Sequence, residues 1–277
     1  MPPVDASVLS TDQPNPTSRV VARARLAPEV RVVWLSVAVG LADVAGAVFA
    51  EYRYGTEWSG PTVWWALPAA VVLFGLFEFA VFNVHLRGEP VSVSLSEVPT
   101  ALAAAFLTPG LAVIARIPLS LAVLVLLRRN AYFKVAFNLA LFTFEVVMVS
   151  LLYHVLVDWW GDAPAGRVGA VTVSVAAVGP TALVLVSAAI SQFGGGFLAR
   201  VATELRAMWW MSIVNAGVAA MLVSLVVIHP SLGLVGLAPL VGMWYLQWQY
   251  GEQIQRLRDL DEVHGFAGRV GGTLDLH

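Results

Sequence analysis

Cysteine is absent from all 277 residues. Disulfides, thiolate metal sites and cysteine nucleophiles are therefore excluded. Charge is scarce: 12% of the residues are Asp, Glu, Lys or Arg, against about 25% in soluble domains. Lysine is almost missing, with Lys134 the single example. The histidines His85, His154, His229, His264 and His277 are scattered, without metal-ligand spacing. No paired-carboxylate, phosphate-loop or serine-nucleophile motif occurs. The glycine run 194–196 follows no strand and precedes no Gly-Lys-Ser/Thr. No enzymatic activity, cofactor, metal or nucleic-acid partner is expected from such a chain.

What the chain has instead is hydrocarbon. Hydrophobic residues make up 58%, and the mean hydropathy is +0.78. About 20 apolar residues suffice to cross a bilayer as a helix. The runs 32–50, 62–84, 111–127, 135–157, 168–190, 208–228 and 232–250 meet that requirement or come close to it. Between the second and third of these, 91–95 alternates like a strand but reads as an extended lead-in to a helix starting near Ser96. Its apolar part, 98–107, is too short to span comfortably, and Pro109-Gly110 breaks it. That segment is either a full crossing or re-entrant. The expectation is an all-α polytopic membrane bundle of about eight segments, with Pro180 kinking the sixth. Residues 197–206 place Arg200, Glu204 and Arg206 among apolar residues, as an interfacial helix would.

The flanks differ from the bundle. Residues 1–31 are polar, proline-rich, then basic, and read as a disordered cytoplasmic N-terminus. Residues 32–250 form the transmembrane domain, and 251–277 a charged helical tail. The tail carries Ile254, Leu257, Leu260, Val263, Phe266 and Val270 three or four residues apart, a stripe of the kind that pairs with another helix. Homodimerisation through that stripe is one expectation. Basic residues set the orientation. With the N-terminus inside, only Arg53 and Arg167 of the sixteen lie outside, and Arg116 is intramembrane. Both termini are thus expected in the cytoplasm of a bacterial plasma membrane.

Ionisable groups at membrane depth are costly and raise functional hypotheses by default. Asp43, Glu78, Glu97, Arg116, Asn138 and Glu145 are the candidates. Glu97 either lines a polar cavity or simply starts a helix. Arg116 either serves a ligand or pairs with Glu97, Glu78 or Asp43. Asp43 and Glu78 are either proton or cation sites or helix–helix contacts. Asn138 and Glu145 are seven apart and share one helical face. Asn138 and Asn215 read most simply as interhelical hydrogen-bonders, and His154 as a structural histidine. Arg128, Arg129 and Lys134 form a basic connection suited to anionic lipid.

Residues 85–145 resemble the amino-terminal membrane region of actinobacterial GGDEF/EAL signalling proteins, which make or degrade cyclic di-GMP. The pattern is the Ser-Leu-Ser-Glu turn at 94–97 with Pro99, then Pro109-Gly110 and Arg116. Arg128-Arg129, Lys134 and Phe137-Asn138 complete it. The likeness is close over 94–145 and looser over the eight-segment pattern. Residues 253–276 resemble that family's linker into a cytoplasmic GAF or GGDEF module. No GGDEF, EAL or HD-GYP stretch occurs in the chain, so the resemblance implies an input module and carries over no catalysis. It also implies an output module as partner, with this chain a stand-alone or shortened version. A small-solute carrier is the competing expectation, because interrupted helices often build sites at the bilayer midplane.

Overall fold

The computed structural model describes residues 27–55, 63–79, 81–86, 89–194, 196–242 and 245. The N-terminal stretch, the Gly195 position of the glycine run and the tail stripe lie outside them. In chain order the elements are α1 (Pro28–Tyr54), α2 (Val63–Phe79), β1 (Val81–Leu86), β2 (Glu89–Ser94), α3 (Glu97–Phe106), α4 (Pro109–Ala122) with a π-turn (Val123–Leu127), α5 (Tyr132–Trp160), α6 (Pro164–Ser191) and α7 (Phe197–Ile228). A short apolar helix, α8 (Pro230–Gly242), follows. Apart from one hairpin, the described chain is an all-α bundle.

Among the described residues, five helices are long and apolar enough to cross a membrane, and α2, α3 and α8 are shorter apolar helices. On α1 the residues Trp34, Val37, Leu41, Val44 and Val48 are exposed, while Val32, Ser36, Asp43 and Ala50 are buried. This is a helical period with apolar side chains on both faces. Water would penalise so continuous an exposed apolar stripe, whereas lipid does not. Trp64, Trp65, Trp159 and Trp160 are exposed near helix ends, where indole rings favour the headgroup level. The chain is a multi-pass membrane helix bundle.

Contacts between helix ends define two sides. The Arg53 guanidinium at the end of α1 lies 3.5 Å from Asp158 at the end of α5. Glu51 accepts the Gly110 N–H at 2.8 Å, so the α3–α4 break is on that same side. At the opposite side Arg31, near the start of α1, donates to the Gln192 carbonyl after α6 at 3.0 Å. Small residues sit where helices press together. A Cβ on Gly46 of α1 would come within 2.9 Å of Val147 on α5, and one on Gly75 of α2 within 2.6 Å of Leu119 on α4. Glycine permits that approach where lipid offers no hydrophobic drive for association. Hydroxyls inside the helices, such as Ser36 and Thr172, donate to the carbonyl one turn back, which removes their desolvation cost.

The most enclosed helix is α3. Val98, Pro99, Thr100, Ala101, Ala103, Ala104 and Ala105 are all buried, with α2, α4, α5, α6 and α7 packed around it. Its alanines let five helices close on one. At 1.5 Å per residue it rises about 15 Å, half of a hydrocarbon core. It ends at Thr108, which caps α4 by accepting the Leu111 N–H at 3.4 Å, with Pro109 in the first helical turn where its missing donor does no harm.

Three sequence expectations need correction. The second segment stops at Phe79 and does not run to Val84; β1 begins at Val81. The alternation near 91–95 belongs to a true strand, paired antiparallel with β1 so that Val84 faces Val91 and Phe82 faces Val93. An apolar run of β-branched residues fits either state, and pairing decided it. Residues 197–206 are not a separate interfacial helix but the first turns of a 32-residue α7. Ala207 and Met208 have good helix propensity and supply no stop signal between the two parts. Pro180 lies inside α6, Pro118 inside α4 and Pro68 inside α2.

Candidate functional site: an intramembrane charge cluster

The polar residues of α2, α3, α4, α5 and α7 converge on one place. Arg116 stands two turns into α4, on the face buried by Ala112, Ala115 and Ser120. Its side chain is 0% exposed, and Nη2 lies 3.3 Å from Glu78 Oε2 on α2. The guanidinium carbon lies over the ring of Phe74 on α2, at 4.8 Å, and over that of Phe142 on α5, at 4.2 Å. Aromatic faces attract a cation more strongly once water is excluded.

Arg128 also reaches Glu78. Its Nη1 is 3.1 Å from Glu78 Oε1, and Nη2 donates to the Glu78 carbonyl at 2.6 Å. That carbonyl is at the C-terminus of α2, where acceptors lack helical partners and cations are favoured. The register matters here. Twelve residues along an ideal α-helix would turn Arg128 about 120° away from Arg116. The π-turn at Val123–Leu127, closed by Arg128 N–H to the Val123 carbonyl, absorbs one extra residue and cuts the angle to about 20°. The helix then ends at Arg129, whose φ of 46° is unusual for a residue with a side chain.

On the other side of the cluster, Glu97 opens the first turn of α3, where the helix dipole favours a carboxylate. It accepts from Asn215 Nδ2 on α7 at 2.6 Å. Glu145 on α5 completes the set. Its Oε2 is buried without a partner among the described residues, as are Nε and Nη1 of Arg116. Glu145, Glu78 and Glu97 all lie within electrostatic reach of Arg116. The arrangement is therefore two guanidiniums among three carboxylates, drawn from four helices, with Asn215 tying in a fifth.

Not every candidate joins. Asp43 is buried on α1, with Oδ2 unpartnered among the described residues, away from these contacts. Asn138 is half-buried on α5 with no polar contact to the cluster. Lys134 and Arg129, read from the sequence as lipid anchors, are exposed. Arg128 departs from that role: 35% of its side chain stays exposed, but its guanidinium turns inward onto Glu78. Phe74 and Phe142 carry no signal of their own in the sequence. Phe142 precedes Glu145 by one turn, and that spacing is the only available hint.

Two further features flank the cluster. His154 stacks on Tyr54 at 5.0 Å between centroids and donates from Nδ1 to the Ser150 carbonyl at 2.7 Å, as a structural histidine does. An apolar cleft of about 370 Å³ lies between α2, α3, α7 and α8, with Leu73, Leu102, Phe106, Leu222 and Leu237 in its walls.

Fold and site together define a multi-pass membrane bundle with a desolvated charge cluster built around a half-length central helix. Comparison of the chain with protein-family models, curated proteins and solved structures found no match.

Proposed function

We propose that the chain is a sensory input module in a bacterial plasma membrane, relaying a signal through α8 to a cytoplasmic output domain. One observation supports this reading above the others. Val98, the neighbour of Glu97, packs in a single hydrophobic cluster with Leu222 of α7 and Leu240 of α8. The helix that leads into the tail thus shares one apolar core with the residue beside the charge cluster. A change in the cluster has a short packed route to α8, and packed cores switch between discrete arrangements more readily than they deform. The stimulus must bind two bundle states unequally to shift them.

The basic side, where Arg31, Arg128, Arg129 and Lys134 gather, is the cytoplasmic one in this reading. The resemblance of 85–145 to membrane regions of cyclic di-GMP signalling proteins supports an output of that type. The output module is supplied beyond this chain or by another polypeptide, and the tail pairs two copies. The bundle itself does no chemistry. Fusing the tail to a reporter cyclase tests the relay. Asn215→Leu and one-residue insertions after Tyr250 should each change output several-fold. Output indifferent to both would end this interpretation.

One observation favours a second reading, a small-solute carrier. A helix crossing half the membrane, with charges at its inner end, resembles the discontinuous helices of transporters. Vesicle uptake lost in Glu97→Gln or Arg116→Gln would support it. Absence of uptake across a metabolite panel would argue against it.

A further inference from the structure

Arg116 has more acceptors near it than it uses. Glu78 takes its Nη2 at 3.3 Å. Glu78 is also held through its other oxygen by Arg128 at 3.1 Å, and Arg128 is anchored to the Glu78 carbonyl at 2.6 Å. Departure of Arg116 would therefore not abandon a buried carboxylate. Glu145, by contrast, presents a buried oxygen with no partner among the described residues, and the Nε and Nη1 donors of Arg116 are equally unused there. Those two donors point to different sides of the guanidinium, so each is free to donate a single hydrogen bond. Phe142, 4.2 Å from the guanidinium, lies one helical turn before Glu145 on the same face of α5.

Two arrangements follow, and each keeps Glu78 paired. In one, Arg116 rests on Glu78 and Glu145 waits. In the other, Arg116 rests on Glu145 while Arg128 alone keeps Glu78. We propose that Arg116 is a two-position charge switch between α2 and α5, with Glu145 as its second partner. Phe74 and Phe142 lie within cation–π distance of the guanidinium and occupy none of its hydrogen-bond donors. A buried carboxylate left unpaired is costly, which gives the second position its driving force. Because α2 and α5 are separate helices that both pack against α4, the exchange would alter how tightly each is drawn toward it. The switch stands apart from the relay reading: it is a property of the bundle whether or not α8 carries a signal.

The test uses the full chain, purified in detergent or nanodiscs, with Glu78→Gln, Glu145→Gln and the double variant. Nitrogen-15 spectra of the arginine side chains supply the first readout, with the Arg116 signal identified by its loss in Arg116→Lys. A switch predicts that this signal moves in both single variants. It also predicts a fall in melting temperature for the double variant that exceeds the sum of the singles, since each carboxylate backs up the other. An Arg116 signal unmoved by Glu145→Gln overturns the proposal, whatever the melting data. Additive melting losses overturn it as well. Should the double variant fail to fold, the spectrum of Glu145→Gln alone decides. A reporter that fails while the Arg116 signal moves would remove the relay and leave the switch.

Discussion

Two arginine–carboxylate pairs sit at different depths of this bundle. Arg167 grips Asp162 with two bonds of 2.6 Å, Nε to Oδ1 and Nη2 to Oδ2. Arg116 meets Glu78 with one contact of 3.3 Å. By geometry alone the first is the better pair. Yet the Asp162 side chain is 65% exposed, so water and salt compete for it, and exposed pairs contribute roughly 0–1 kcal/mol. The inner pair has no water to fall back on. Its net benefit over an apolar pair is small, but losing one member strands a charge in low dielectric. Depth, not bond length, decides what a substitution costs.

The largest effect should come from Arg116→Ala. It strands Glu145 and Glu97 without their nearest cation and should cost about 3–5 kcal/mol, read as loss of folded protein or a steep fall in melting temperature in detergent. Asn215→Leu comes next. It removes the donor to the Glu97 carboxylate, and hydrogen bonds to charged groups contribute roughly 1.5–3 kcal/mol. Chemical denaturation should register that loss. Glu51→Ala should cost about 1 kcal/mol, as for a lost helix N-terminal acceptor, with faster hydrogen exchange at Gly110 as its local signature. Arg167→Ala closes the series at about 1 kcal/mol or less. Its effect should vanish in 1 M salt, where screening reaches about 3 Å. The Arg116→Ala loss should persist there. If salt erased both, the comparison of depths would fail.

The spans were largely legible in the sequence because lipid imposes a length and a polarity that any apolar run either meets or misses. The break at Pro109-Gly110 was legible for an equally local reason: a proline and a glycine together interrupt a helix. Other features were not local. The run that continues apolar past Phe79 gives no sign that Val81 leaves the helix for a hairpin. Arg128 reads as a headgroup anchor by its place in a basic turn, and only the π-turn rotates it onto Glu78. Asp43 and Asn138 look as promising as Glu97 along the chain, but α1 and the first turns of α5 hold them apart from the contacts of the cluster.

By itself the sequence determined the solvent of this protein, the number of apolar segments and the short central one, because those depend on side chains taken a few turns at a time. It could name the charged residues at depth but not pair them. Pairing was decided by the tertiary structure, since the partners of Arg116 come from helices 38 residues upstream in α2 and on the facing side in α5. A buried charge is tolerated only where such distant groups meet, and that meeting exists only once the helices have packed.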